Sequence, residues 1–558
     1  MVAIGLLLVG QQPDILSGVE KPREQPSSGG MYVEAVVGTP GRLNPLLDWY
    51  NNADRDIDRL IYSSLVKFND RSVPVGDLAD SWGISQDGKI YNFLIRDAVW
   101  HDGQPVTADD IIFTIDLLRN DAIPIPEDLR NFWNKVEVEI IDDNVIQFRL
   151  PEPFSPFLDY LTFGILPKHI WKDIPPEEIA NSTLNLNPIG SGPYRFDRYI
   201  TNQGQVEGVE LDSNLNYYIT PPFIEKIQFR YFQDAQTALK EYQAGKKDQN
   251  QKQDRVMGID QIPLDLLDES LNEDGLNFYT GLMPRLDLIL FNLDDPKIPA
   301  IQDPSVREAL YKGLNRQGLI DRLLKGQAVL ANGPIFPASW AYYENLDQVP
   351  YDQEEAISLL IEAGYTLPAE GGNIRSKDGN RLSFELIYPD INPHPDLASA
   401  IKDDWAKIGV EVILKSVPLA QMVDNYLGLR QFQMALVEFN GMRYPDPDPY
   451  PFWHQSQADR GQNYSGWNDR QASELLEQAR TESNPELRAQ LYDNFQLRFM
   501  KELPSLPLFF PVYNYGVDSE VKGIRAGPIY ETADRFRTLA NWFLKTQLGI
   551  GETPTSSP

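Results

Sequence analysis

The sequence predicts an α/β protein, and three observations carry that reading. Period-2 alternation of apolar residues marks strands, as in Tyr91, Phe93 and Ile95. Helically spaced apolar residues recur between such strands, opened by capping residues and closed by glycine, as from Asp352 to Gly364. The first third mixes the two types as an α+β region. The later part alternates strand and helix, the pattern of a sheet with helices packed on it. A chain of 558 residues has room for about three or four folding units at roughly 150 residues each.

Taken in order, residues 2–9 (VAIGLLLV) are apolar, too few for the roughly 20 that span a bilayer. They suit the core of an export signal, and we read residues 1–10 as the remainder of one. A lipoprotein would carry Cys where Gln11 stands, so lipid anchoring is not expected. Residues 11–30, rich in Pro, Gln, Ser and Gly, read as a flexible tether, with the fold beginning near Met31. Ile57, Leu60, Ile61 and Leu65 place a helix over residues 54–66, and residues 89–95 follow as a strand. Thr107 opens a helix with Asp110 as its capping-box partner. Alternation on both sides of Asp142-Asp143-Asn144 predicts a hairpin. Residues 246–254 (KKDQNQKQD) read as a solvated loop. Asp303-Pro304 starts a helix carrying Val306, Ala309, Leu310 and Leu314. Asp352 and Glu355 form a second capping box. Leu397, Ile401, Trp405 and Ile408 define a helix that stops at Gly409 and leads into a strand over residues 410–417.

Composition removes much chemistry. The absence of cysteine excludes disulfides, thiolate metal sites and cysteine nucleophiles. A formal charge of −31 repels phosphate backbones and anionic lipid, so nucleic acid is not an expected partner. The four histidines, at 101, 169, 394 and 454, have no metal-ligand spacing, and no metal site or cofactor is expected. His101, in a turn before a helix, reads as structural. No nucleophile elbow, phosphate loop or dinucleotide fingerprint occurs. A secreted hydrolase working through two carboxylates stays open, because such an enzyme needs only two acids placed by the fold.

Residues 74–114 (PVGDLADSWGISQDGKIYNFLIRDAVWHDGQPVTADDIIFT) closely resemble the signature segment of bacterial extracellular solute-binding protein family 5, the peptide/nickel-type receptors of ABC importers. Further blocks follow in the family's order: Leu43-Asn44-Pro45, Gly190-Ser191-Gly192-Pro193-Tyr194, Phe291-Asn292, Val306-Arg307, Leu314-Asn315-Arg316, Tyr444-Pro445-Asp446-Pro447-Asp448, Asn463-Tyr464-Ser465-Gly466, and Leu503-Pro504 to Pro507-Leu508. The resemblance runs over residues 31–540. It implies a two-lobed periplasmic-binding-protein fold with an inserted third subdomain. Lobe one would take residues 31–75 and 189–280, its insertion residues 76–188, lobe two residues 281–503, and the C-terminal part of lobe one with the tail residues 504–558. The chain would cross between lobes near residues 279–292 and 503–512. The implied function is a monomeric, non-enzymatic periplasmic receptor that encloses a peptide or peptide-like solute and delivers it to a permease and its ATPases. Oligosaccharides, opine-like anions and metal chelates are the alternative ligands.

The resemblance also implies site residues. Trp49, Tyr50 and Asn51 have no clear period and read as a loop, either at the cleft edge or on the plain surface, and Arg285 lies in the first crossing. Tyr444, Asp446, Asp448 and Trp453 surround a proline-dense segment that suits neither helix nor central strand. Peptide receptors of the family commonly carry an amine-binding aspartate where this chain has Arg443. A guanidinium cannot accept a hydrogen bond from an ammonium. The amine is therefore read elsewhere, or the ligand lacks a free amine, or it presents an anion at this end. Alternatively, Arg443 turns away to pair with Asp446 or Asp448. If Arg443 holds an anionic group, Arg443→Asp should weaken the natural ligand by at least ~2 kcal/mol in calorimetry, and unchanged affinity would remove Arg443 from the site.

Overall fold

The computed structural model describes residues 23–142, 144–247, 255–440 and 444–549. Its backbone is a 12-stranded sheet whose main path runs Glu411–Val417, Ser383–Pro389, Met434–Phe439, Leu286–Phe291, Ser505–Asp518, Gly258–Ile259, Met31–Val37, Lys226–Phe232, Gln205–Ser213 and Tyr194–Asn202. Strand Ser505–Asp518 is the joint. Its first half pairs with Leu286–Phe291, Leu290 facing Ser505, and its second half with Leu276–Leu282, Leu276 facing Asp518. Leu276–Leu282 and Leu286–Phe291 thus both lie beside this one strand as hydrogen-bonded neighbours.

Separate cores fill the two sides of this joint. On one, Tyr32, Val36, Ile57, Ile61, Phe93, Trp133 and Phe148 share a cluster with Tyr513, Tyr515 and Trp542 from the C-terminal segment. On the other, Phe291, Leu310, Leu386, Leu397 and Trp405 pack together, beside a second cluster around Phe336, Phe495 and Phe499. A four-stranded sheet, Ala79–Ile84, Ile90–Ile95, Val145–Arg149 and Glu137–Asp142, stands apart from the large one. It contains the hairpin expected around residue 143, with Ile140 opposite Ile146.

Locally encoded elements form as their residues dictate. Thr107 donates its backbone N–H to Asp110 at 2.8 Å, closing the box that starts helix Ala108–Arg119. Asp352 accepts the Glu355 N–H at 2.9 Å before helix Gln353–Glu362. Helix His394–Lys407 ends at Gly409, whose φ of 85° favours glycine.

Three readings are corrected. The helix expected to Val66 is Asn52–Ile61, because Asp77 takes the Ser64 N–H at 2.9 Å and Leu65 instead accepts from Asp77 and Ala79. Helix Pro304–Lys312 likewise stops before Leu314, which is buried just beyond it. The supposed tether contains strand Arg23–Ser27, antiparallel to Lys545–Gly549. Backbone pairing needs no apolar pattern, so composition did not reveal it. Residues 1–22 and most of the polar run, residues 248–254, lie outside the described residues.

Candidate ligand cleft

A cavity of about 510 Å³ lies between helix Asn52–Ile61, the C-terminal segment and the proline-dense segment. Helix Asn52–Ile61 supplies Asp58, Arg59 and Leu60 to its wall, with Tyr62 just beyond the helix end. The paired strands Val66–Phe68 and Pro74–Gly76 supply Lys67, Phe68 and Val75, and Tyr217 lies near them. Glu531, Asp534 and Arg537 come from the C-terminal segment, and Tyr444 and Pro445 from the proline-dense one. The helix is held from behind by the Gly190–Gly192 block. Gly192 donates to the Ile61 carbonyl at 2.8 Å, and a Cβ on Gly190 would meet that oxygen at 1.9 Å. Only glycine fits so close a backbone approach. His101 clamps the same block, accepting from Gly190 N–H through Nδ1 at 3.2 Å and lying 3.1 Å from Gly192 O through Nε2. Burial pulls its pKa down to about 4, so it is neutral and structural.

Charge on the wall is almost entirely paired. Glu531 receives Arg55 at 3.1 Å and Arg59 at 3.0 Å, and Arg59 also donates to Thr162 O at 2.6 Å. Burial opposes the Arg59 charge, but Glu531 and Asp48 hold its pKa above the ordinary arginine value. Lys67 meets Asp77 at 2.9 Å, and Arg537 meets Asp534 at 2.6 Å. Asp48 lies 3.7 Å from Arg55, with burial pushing its pKa up to about 7 against that partner. Asp58 is 1% exposed, and the Asn44 backbone N–H and the Arg59 charge are the groups beside it that favour its ionised form. Burial, reinforced by Asp48 and Asp54, pushes its pKa well above the carboxylate range.

Residues 73–462 match the family model for bacterial extracellular solute-binding proteins, family 5. The chain belongs to this family. It is 26% identical over 524 residues to the oligopeptide-binding protein AppA of Bacillus subtilis, covering 92% of each chain. The structure of that AppA in complex with a nonapeptide matches with a TM-score of 0.69 and 25% identity, over 93% of this chain and 100% of that one. NikZ from Campylobacter jejuni in complex with Ni(L-His) matches with a TM-score of 0.71 and 26% identity, over 92% of this chain and 99% of that one. The two-lobed binding-protein fold is thereby shown.

In this family 5 protein the expected site residues separate. Trp49 and Tyr444 line a smaller recess next to the main cavity, together with Tyr160. Tyr444 borders both spaces and lies 5.9 Å from the Tyr160 ring. Tyr50 is 76% exposed. Asn51 caps helix Asn52–Ile61, accepting from Ala53 N–H at 3.0 Å, so its side chain is engaged in local structure. Arg285 lies 3.6 Å from Glu438 and does not border the cavity. Asp446 is bound by Arg488, and Asp448 is gripped by Arg480 at 2.9 and 2.6 Å. These acids therefore brace the ledge. Trp453 is 3% exposed and packs on Phe499 in the core. Arg443 lies outside the described residues.

Asp58, Arg59, Lys67, Asp77 and Glu531 were not singled out from the sequence. A signal existed for Asp58, which sits three residues before Ile61 and four after Asp54, against the apolar stripe of its helix.

Proposed function

We propose that this family 5 protein is the exported, monomeric receptor of an ABC importer. It encloses a peptide or peptide-like solute between its lobes and passes it unchanged to a permease driven by ATPases. The observation that carries this reading is the cavity itself, whose wall from helix Asn52–Ile61 and the C-terminal segment is completed by Tyr444 and Pro445 from the proline-dense one. Its volume of about 510 Å³ falls in the usual range for small-molecule sites. The relatives named for oligopeptide binding support a peptide.

Two features weigh against the other readings. None of the histidines lines the cavity, which disfavours direct metal ligation. Of the five carboxylates on the cavity wall, Asp77, Glu531 and Asp534 are engaged by Lys67, Arg59 and Arg537 and Asp48 lies 3.7 Å from Arg55, which leaves no second unengaged acid for two-carboxylate hydrolysis. Among the described residues no helix is long and apolar enough to cross a membrane.

The test uses a pool of mixed tetrapeptides. A bound peptide at a hundredfold excess over Kd should stabilise the protein by about 2.7 kcal/mol. It should also reduce the radius of gyration as the lobes close, and mass spectrometry should recover it intact. Tight binding with unchanged scattering would count against an enclosing receptor, and cleaved peptide would establish the hydrolase.

A further inference from the structure

The two separate cores also meet away from the joint. Segment Ser155–Leu161 packs Phe157 and Leu161 into the first core. Facing it are helices Arg470–Thr481 and Pro485–Glu502, whose Leu476, Ala479, Tyr492 and Phe495 belong to the core around Phe336. The Ser155 hydroxyl donates to Glu482 O, and the Arg480 guanidinium lies 5.9 Å from the centre of the Phe154 ring. On the same side, the Asp446 N–H donates to an Asp159 carboxyl oxygen at 3.1 Å.

The charges at this contact do not balance. Arg480 holds Asp448 at 2.9 and 2.6 Å, and Arg488 holds both oxygens of Asp446. Each guanidinium is committed to one carboxylate. Asp159 is a third acid, buried, and among the described residues it forms no ion pair; Arg488, the cation that favours its charge, is already given to Asp446. Tyr160 beside it and Tyr530 from the C-terminal segment are phenols that burial keeps neutral. With Asp159 ionised, three negative charges therefore face two positive ones, and a single proton on Asp159 makes the contact neutral. A protonated carboxyl group keeps acceptor capacity, so the Asp446 N–H bond survives that proton.

We propose that Asp159 is a proton-operated latch between the lobes: closing them places a proton on its carboxyl group, and the closed form weakens as pH rises. When the lobes part, Asp446 and Arg488 leave with the second core and Asp159 regains water and an ordinary carboxylate pKa. In the closed form, burial and the Asp446 charge raise its pKa well above that value, against the pull of Arg488. The closed form thus binds the extra proton. Its advantage is complete below the ordinary carboxylate pKa and is lost as pH rises through the closed-form value. The latch rests on the receptor reading above and adds a control on its closure.

The experiment is solution scattering on the ligand-free full chain between about pH 5 and about pH 8, which reads lobe closure without any solute. The radius of gyration of wild type should grow with pH, the ratio of open to closed form rising by up to about tenfold per pH unit, the slope of one proton. Asp159→Asn keeps an amide oxygen for the Asp446 N–H but cannot ionise, so it should stay compact across the range. Asp159→Ser cannot ionise either and should also lose the pH dependence, so that a folding defect in one variant leaves the other informative. A radius of gyration that does not change with pH in wild type overturns the latch, as does a folded variant that expands with pH as wild type does. Neither result touches the receptor reading, which the tetrapeptide pool tests separately.

Discussion

Replacing Arg535 by Met should destabilise the fold by about 3–5 kcal/mol, because it strips the cation from a buried charge network and leaves the anions behind. Arg535 is 1% exposed, with Nε 2.9 Å from Glu34 and Nη2 2.6 Å from Asp56, and its third nitrogen donates to Thr532 O at 2.8 Å. Glu34 stands on strand Met31–Val37 and Asp56 on helix Asn52–Ile61. Tyr515, on the strand that joins the lobes, donates to Glu34 at 2.8 Å. One side chain from the C-terminal segment therefore ties together strand Met31–Val37, the cleft helix and the joint. Loss of the cation leaves two carboxyl groups buried without it, and neither can reach water.

The loss should also depend on pH. Burial raises the Glu34 pKa to about 7 and that of Asp56 to about 6, both against the pull of Arg535. Each folded value lies above the ordinary one, so the stability these groups contribute is complete below the ordinary carboxylate pKa. It is lost as pH rises through the folded values. Without Arg535 those values climb further, and the cost of ionising either acid grows. Urea midpoints should show a smaller gap between wild type and Arg535→Met near about pH 5 than near about pH 8. A gap that is constant or narrows with pH would show that Arg535 acts through packing on Phe536 and Tyr515 instead of through charge.

The contrast between what was legible in the sequence and what was not follows the range of the interactions. Strand Ile90–Ile95, the capping box at Thr107 and helix His394–Lys407 are encoded by residues within a few positions of one another. Their outlines agree with the periodicity. The end of helix Asn52–Ile61 is not local: Asp77 draws Ser64 away from the helical path. Strand Arg23–Ser27 depends on residues at the opposite end of the chain. At the site, Trp49 and Tyr444 line a recess next to the main cavity. Asp446 and Asp448 looked equally available, but their partners Arg488 and Arg480 lie on helices that begin well after them. Asp58 was hidden because an acid inside a helix is ordinarily read as solvated surface.

Arg488→Met should cost a comparable amount, about 3–5 kcal/mol, and should reach the cleft as well. The guanidinium grips both oxygens of Asp446, the Nη2 bond measuring 2.9 Å, while Nε donates to Ala479 O at 2.6 Å. Burial raises the Asp446 pKa against the pull of Arg488. Removing the cation would leave that acid buried beside Asp159, itself raised by burial and by Asp446. The backbone N–H of Asp446 donates to Asp159 at 3.1 Å, the contact that docks the proline ledge on segment Ser155–Leu161. Tyr444 and Pro445 sit immediately upstream and line the cavity, so strain at Asp446 is transmitted to the cleft edge. Asp446→Asn combined with Arg488→Met should be more stable than Arg488→Met alone, because the double variant removes the stranded anion. Urea midpoints of the three variants and wild type measure this coupling. A double variant no more stable than Arg488→Met would show that the arginine acts by filling space and by holding the Ala479 carbonyl. A coupled pair should instead recover tetrapeptide affinity together with stability, since both depend on where the Asp446 backbone holds the ledge.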